Sequence, residues 1–490
     1  MIKKRFKVLF LILSVFTMIG CLNYEQEGLS IFPNRPNTWV GDPMPYYDNG
    51  KFNVFYLDDL RDGDIGFHPW SLFTTDNFYE YEDKGIVIPY SKNTQDRDLA
   101  LGTGSVIKDN KGVYHAFYTG HNAKMMPKES IMHATSSDLK EWTKIPEDTF
   151  LASSQYSGDD FRDPYVIYNS DYDEYWMLIT TRKDNMGVIA LYTSNNLKTW
   201  SDQGVLFEND MGSDSNLECP TLIKYGDYWY ISFSDQWPDR VVHYRIANDS
   251  KGPFKIPEQD YFDGNGFYAG RMEQDSENLY MFGWTPTKVM YTDLEAYDWA
   301  GNLVVHQLKQ RENGELYPVP VESVVNKINR NVKLNPLSQT ETIEKLKNTY
   351  SFSGKDYEVV TFPKIEGINK ITGRIKLNSQ NNKFGFMFNV DEESNLGSLN
   401  MVVDPKRGEL QFYNRSTEDI LSQKPQSIMT LPISKGESLD FTILIDDSIA
   451  VLYVNDIAVL STRMFLIQDQ NWGIFSVDSD VVFEDIKLSK

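Results

Sequence analysis

The sequence predicts an all-β protein: a five-bladed β-propeller followed by a C-terminal β-sandwich. Three observations carry this. First, one short apolar or aromatic strand pattern occurs five times, as "FNVFYL" from Phe52, "YHAFYT" from Tyr114, "YWMLIT" from Tyr175, "YWYISF" from Tyr228 and "LYMFGW" from Leu279; the starts are 62, 61, 53 and 51 residues apart by subtraction. Second, a turn pattern, Ser/Thr-x-Asp/Asn-Leu/Phe-x-x-Trp/Tyr, interleaves with it at 75–81, 136–142 and 194–200. Third, long helical periodicity is nearly absent between 35 and 320, and short alternating strands resume after 340. Repeats of 50–60 residues built from strand and turn fit propeller blades, each a small sheet whose faces only its neighbours can bury.

In chain order, residues 1–21 read as an export signal. Lys3, Lys4, Arg5 and Lys7 precede an apolar run of signal-peptide length that ends at Gly20-Cys21. A small residue directly before Cys fits a lipoprotein signal with Cys21 as the lipid attachment, so the expected location is an exported, membrane-anchored lipoprotein at a periplasmic or cell-surface site. Residues 22–35 would be a tether, 36–320 the propeller and 321–340 a linker. From 341 to 490, segments such as "TGRIKLN", "FGFMFNV" and "LDFTILI" alternate as β-sandwich strands do. Cys219 is the one other cysteine. With Cys21 lipidated no intramolecular disulfide is possible, and stability has to come from cores.

The formal net charge of −22 argues against nucleic acid and anionic lipid as partners. It fits an enzyme on neutral substrates, with the membrane reached through a lipid anchor only and oligomeric state left open. Aromatics make up 14% of the chain, enough to stack on sugar faces after the cores are filled.

Three acids sit shortly before three of the repeated strands: Asp42 ten residues before Phe52, Asp163 twelve before Tyr175, and Glu218 ten before Tyr228. Inner strands of a propeller line its axis, so the three carboxylates are expected in one place, at one mouth of the channel. Asp-Pro is also plain turn chemistry, but three in-phase occurrences outweigh that reading. Paired carboxylates around a sugar cleave glycosidic bonds, one keeping its proton and one ionised. Glu218, beside apolar Cys219 and Pro220, is the expected acid; Asp42 is expected to stay ionised; Asp163 would hold sugar hydroxyls, with Arg162 keeping it charged. No cofactor is needed for this chemistry, and the six histidines show no metal-ligand spacing.

"WVGDPMP", "FRDPYVI" and "NLECPTL", in this order, resemble the three signature blocks of glycoside hydrolase family 32, the β-fructosidases. "LGTGSVI" is similar to the family's Ser-Gly-Ser block, and "DGNGFYAGR" to its Asp-x-Gly-x-x-Phe-Tyr-Ala block. The resemblance implies Asp42 as nucleophile, Glu218 as acid/base, Asp163 as transition-state stabiliser, Ser105 as a substrate contact, and retention through a covalent fructosyl intermediate. Trp70, in "GFHPWSLF", falls where the family carries an aromatic pocket wall; Trp39, Arg162 and Trp237 are further substrate-binding candidates. The sequence departs from the family at Gly41, Met44 and Leu57, and at His306-Gln307; the side-chain amide that the family usually carries beside the nucleophile to help hold the terminal fructose is missing, which weakens the case for plain sucrose as substrate. Two further readings stay open: an arabinan- or xylan-acting hydrolase on a related propeller, and a catalytically silent glycan-binding lipoprotein.

Overall fold

A computed structural model describes residues 30–60, 68–378, 382–433 and 436–490. The signal segment, Cys21 and most of the tether lie outside the described residues. Each of the first three blades is a four-stranded antiparallel sheet. Their inner strands are Trp39–Asp48, Ala100–Lys108 and Phe161–Asn169. The fourth blade has three strands, from Leu217–Tyr225 to Val242–Ala247, and isolated pairings of Ile246 with Lys255 and His243 with Tyr261 extend its outer edge. The fifth runs from Tyr268–Gln274 through Leu279–Lys288 and Tyr297–Gln310 to Leu316–Val319.

All five repeated stretches are the second strands of their blades. A mid-blade strand is covered on both faces by neighbouring blades, so it reads as a continuous apolar run rather than an alternating one; Phe52 to Asp59 are all buried. The cores lie between blades: Phe55, Trp70, Leu72 and Tyr118 fill the space between the first two, and Phe117, Phe161, Ile179 and Tyr192 the next.

The turn pattern folds as its polar side chains dictate. Ser136 Oγ accepts from the amides of Asp138 and Leu139 (3.1 and 3.0 Å), and Asp138 Oδ1 from those of Lys140 and Glu141 (both 2.9 Å). Thr75 with Asn77, and Ser194 with Asn196, repeat the arrangement. The Phe or Leu between them is left-handed, with φ of 64° at Phe78, 66° at Leu139 and 60° at Leu197. Burial of each apolar side chain offsets the cost of that conformation, about 1–3 kcal/mol.

The ring closes between blades five and one, where Val40 pairs with Gly301. The amino-terminal segment reinforces this joint: Asn302 Nδ2 donates to the Phe32 carbonyl (2.8 Å), and the Leu303 amide to that of Pro33 (3.0 Å). Ser30 itself lies at the other end of blade one, where its amide meets the Tyr79 carbonyl (3.2 Å). Register places that end beside Phe52 and Thr75, far along the strands from Asp42.

The C-terminal sandwich packs an eight-stranded sheet, including Val481–Ser489 and Ser438–Asp446, on a seven-stranded one, including Trp472–Val477 and Lys383–Val390. Phe362 stacks on Trp472 (4.5 Å) in the core between them. The stretch 321–340 is folded rather than slack. It holds the helix Glu322–Lys327, and its residues Asn331–Val332 and Ser338–Gln339 already pair with one sheet each. Propeller and sandwich share a core in which Val451, Tyr453 and Val459 pack with Trp284, Leu303 and Val305. Buried Arg463 reaches across to the carbonyls of Thr285 and Pro286 and to Asn302 Oδ1 (2.6 Å). Leaving those acceptors without a donor costs about 1–3 kcal/mol each.

Candidate active site

Every inner strand carries a β-bulge at the same height, where two of its residues face one on the second strand. The bulged pairs are 42–43, 102–103, 163–164, 219–220 and 269–270. This register corrects the phase read from the sequence. Asp42 and Asp163 do occupy the same place, together with Gly102, Cys219 and Ala269. Glu218 sits one residue earlier, in the place of Gly41, Leu101, Arg162 and Tyr268. Subtraction over loops of unequal length cannot resolve a one-residue offset; the bulge can. Asp42, Asp163, Cys219 and Ala269 share a left-handed backbone, with φ of 38°, 58°, 53° and 52°. Four non-glycine residues held there in phase are the strain that turns successive side chains toward the axis.

Asp42, Asp163 and Glu218 line one cavity of about 790 Å³, with Arg162, Thr103, Tyr268, Glu129 and Trp299 among its walls. Asp42 accepts from Thr103 Oγ1 (2.6 Å) and from the Trp284 indole (3.1 Å). Asp163 accepts from the Cys219 amide (3.0 Å), while its own amide donates to Thr119 Oγ1 (2.9 Å). Glu218 receives Arg162 Nη2 on one oxygen (2.9 Å) and the Tyr268 hydroxyl on the other (2.7 Å). The shared position of Glu218, Arg162 and Tyr268 in three blades is why these three meet. Arg162 is itself held by Asp160 (2.8 Å) and lies 3.6 Å from Glu129.

Burial pushes the Asp42 carboxyl up from its usual range, against its bonds from Thr103 and Trp284 and with the negative charge of Glu218 adding to the rise. Burial thus works against the ionised Asp42 that the sequence suggested. Asp163 is pushed up to about 7, first by burial; Arg162 and Arg271 oppose this, and Glu218 and Asp42 add to it. Burial makes charge expensive on both aspartates.

Four of the five predicted substrate contacts sit away from the cavity. Trp70 is fully buried between blades one and two, its indole donating to the Gly102 carbonyl (3.0 Å); the aromatic chosen as a pocket wall is blade core. Ser105 pins blade two to blade three, donating to the Pro164 carbonyl (3.0 Å) and accepting from the Val166 amide (2.9 Å). Trp39 stacks on Tyr291 (5.8 Å) with the Arg463 guanidinium over its ring (5.4 Å), at the joint with the sandwich. Trp237 lies on the loop next to the cavity residue Gln236, its indole bonded to Asp214 (3.0 Å) and one face under Arg182 (5.6 Å). Arg162 is the one that lines the cavity. The aromatic wall is Trp299, which stacks on His68 (4.5 Å) and packs where a side chain at position 41 would be. No repeat or motif marks "DWAGN", so Trp299 had no signal. Thr103 had one: it lies inside "LGTGSVI", two residues from the Ser105 chosen there.

The fold and this carboxyl cluster define a propeller enzyme that cleaves sugar linkages. The glycosyl hydrolases family 32 N-terminal domain matches residues 34–320, and the GH32, BT1760-like, C-terminal domain matches 319–488. The chain is 22% identical over 476 residues to a sucrose-6-phosphate hydrolase of Escherichia coli, covering 90% of this chain and 91% of that one. It is 29% identical over 193 residues to a levanbiose-producing levanase of Bacillus subtilis, covering 38% and 36%. Among solved structures, a sucrose-6-phosphate hydrolase from Lactobacillus gasseri superposes with a TM-score of 0.71 at 20% identity, covering 94% of this chain and 92% of that one. An exo-inulinase from Aspergillus awamori gives 0.70 at 16%, covering 95% and 98%. The chain belongs to glycosyl hydrolase family 32 and is a glycoside hydrolase acting on β-fructosides.

Proposed function

We propose that the protein is a retaining hydrolase of fructans or fructo-oligosaccharides, with Asp42 as nucleophile, Glu218 as acid/base and Asp163 on the sugar hydroxyls. One observation carries this reading: the bulges aim all three carboxyls into a single cavity. Asp42 attacks the anomeric carbon as Glu218 gives its proton to the departing oxygen. Glu218 then takes a proton from the water that releases fructose and frees Asp42. Both Glu218 oxygens accept bonds in the resting arrangement, so its proton needs one donor to turn. Tyr268 has an alternative, the Asp235 carbonyl at 3.2 Å. Trp299 against Gly41 replaces the polar contact the family usually has beside the nucleophile, which favours a substrate that stacks over one held by a side-chain amide at that point. The relatives named for levan and inulin make polymeric fructans the first substrates to try.

The test is fructose release from levan, inulin and sucrose by the wild type and by Glu218→Gln. The variant is expected to lose about three orders of magnitude or more in kcat, the scale of general acid–base catalysis combined with nucleophile turnover. Release that persists in the variant would remove Glu218 from its role. Saturable oligosaccharide binding without turnover by the wild type would make the protein a glycan-binding module.

A further inference from the structure

One layer below the carboxyls, the inner strands present Met44, Gly104, Tyr165, Thr221 and Arg271. Arg271 is the one charged residue of that layer, and it is 1% exposed. Its Nη2 donates to the Asp163 carbonyl (3.3 Å), and its guanidinium lies over the Tyr165 ring (5.5 Å). Among the described residues, Nε and Nη1 have no hydrogen-bond partner.

A buried guanidinium without a carboxylate of its own is costly unless nearby charge compensates it. Arg162 cannot be compared with it, because Arg162 is shared between Glu218, Asp160 and Glu129. Glu273, two residues further along the Arg271 strand, is no counter-ion: burial pushes its carboxyl up to about 8, so it keeps its proton at neutral pH. Burial likewise keeps the Cys219 thiol and the Tyr165 and Tyr268 hydroxyls neutral. The carboxyls that feel Arg271 are those above it, Asp42 and Asp163, where its charge works against burial and against Glu218.

We propose that Arg271 is a positioning residue for this site: its guanidinium, fixed in the propeller axis beneath the carboxyls, supplies positive charge that favours the negative forms of Asp42 and, together with Arg162, of Asp163. The proposal rests on the assignment of Asp42 as nucleophile. Arg271 does not touch substrate; it sets the charge state in which Asp42 attacks.

The experiment compares Arg271→Met, Arg271→Gln and Arg271→Lys with the wild type. The first readout is the pH profile of kcat/KM on the best fructan. Without the cation, Asp42 and Asp163 hold their protons to higher pH, so the acidic limb moves up. The neutral variants are expected to lose about tenfold or more at the acid end while KM changes less than about threefold, and Lys is expected to restore the limb. The second readout does not need activity: the infrared carbonyl band of protonated carboxyls near neutral pH is expected to grow in Met and Gln and to match the wild type in Lys. Folded neutral variants with an unmoved limb and an unchanged band overturn the proposal. If neither neutral variant folds, Lys decides: a wild-type limb and band support the charge role, and a shifted limb in folded Lys protein overturns it. A wild type that releases no fructose would defeat the nucleophile assignment, while the infrared comparison still reports on Arg271.

Discussion

At the scale of single residues, the site turns on how much negative charge a cluster of buried carboxyls tolerates. Asp163 holds its proton up to about pH 7 in the folded chain, against an ordinary carboxyl value of 3.8 when unfolded. Between those values the native state binds more protons than the unfolded state, so this group's contribution to stability is present at low pH and is lost as pH rises through 7. Asp163→Asn is expected to flatten that part of the dependence: its thermal midpoint, followed from pH 4 to 7, should fall less steeply than the wild type's. A slope identical in both proteins would show that Asp163 is not where the proton is held. Two buried histidines, His115 and His133, both held below the usual imidazole range first by burial, act oppositely over part of this range. His133, stacked on Phe117 and bonded to Asp148 (2.7 Å), is held down to about 4, first by burial. The comparison with the variant is therefore what isolates Asp163. The acids themselves were legible in the sequence because Asp-Pro and Glu-Cys-Pro recur before repeated strands. Their electrostatics were not, because the burial comes from Trp284 and Trp299 of blade five and Thr103 of blade two, segments far from Asp42 in sequence.

At the scale of elements, the bulge is the device that makes an inner strand catalytic. A regular strand would send residues 41 and 42 to opposite faces; the bulge turns Asp42 into the axis and leaves position 41 against Trp299. A Cβ at Gly41 would overlap the Trp299 ring. Gly41→Ala is expected to displace that ring, lower kcat/KM at least tenfold through the loss of wall and nucleophile geometry, and cost about 1–3 kcal/mol in stability from overpacking. Activity with wild-type kcat and KM in the purified variant would show that the wall is adjustable. The five repeats were readable because mid-blade strands are apolar on both faces. The bulges were not, since two residues opposite one leave no mark in composition or period. The same blindness explains Ser105 and Trp70: both stand in stretches matched correctly to a blade, and both point into the gap between blades rather than into the axis.

At the scale of the molecule, sandwich and propeller behave as one folded body around Arg463 and a common core. Location is a separate matter. The Lys-rich start, the apolar run and Gly20-Cys21 support an exported lipoprotein held by Cys21. Cells given a labelled fatty acid are expected to mark the wild type and leave Cys21→Ser unmarked and released; equal labelling of the two would remove the anchor. Architecture and the three acids were visible from sequence because each repeats or alternates, whereas the seam between blades five and one is made by unrelated segments that only the closed ring brings together. That ring also has a direction. Ser30 leaves blade one beside the Tyr79 turn, and Asp42 stands at the far end of the same strands. The described chain therefore begins on the face turned away from the carboxyls, and a long sugar chain entering beside Asp42 does not meet residue 30.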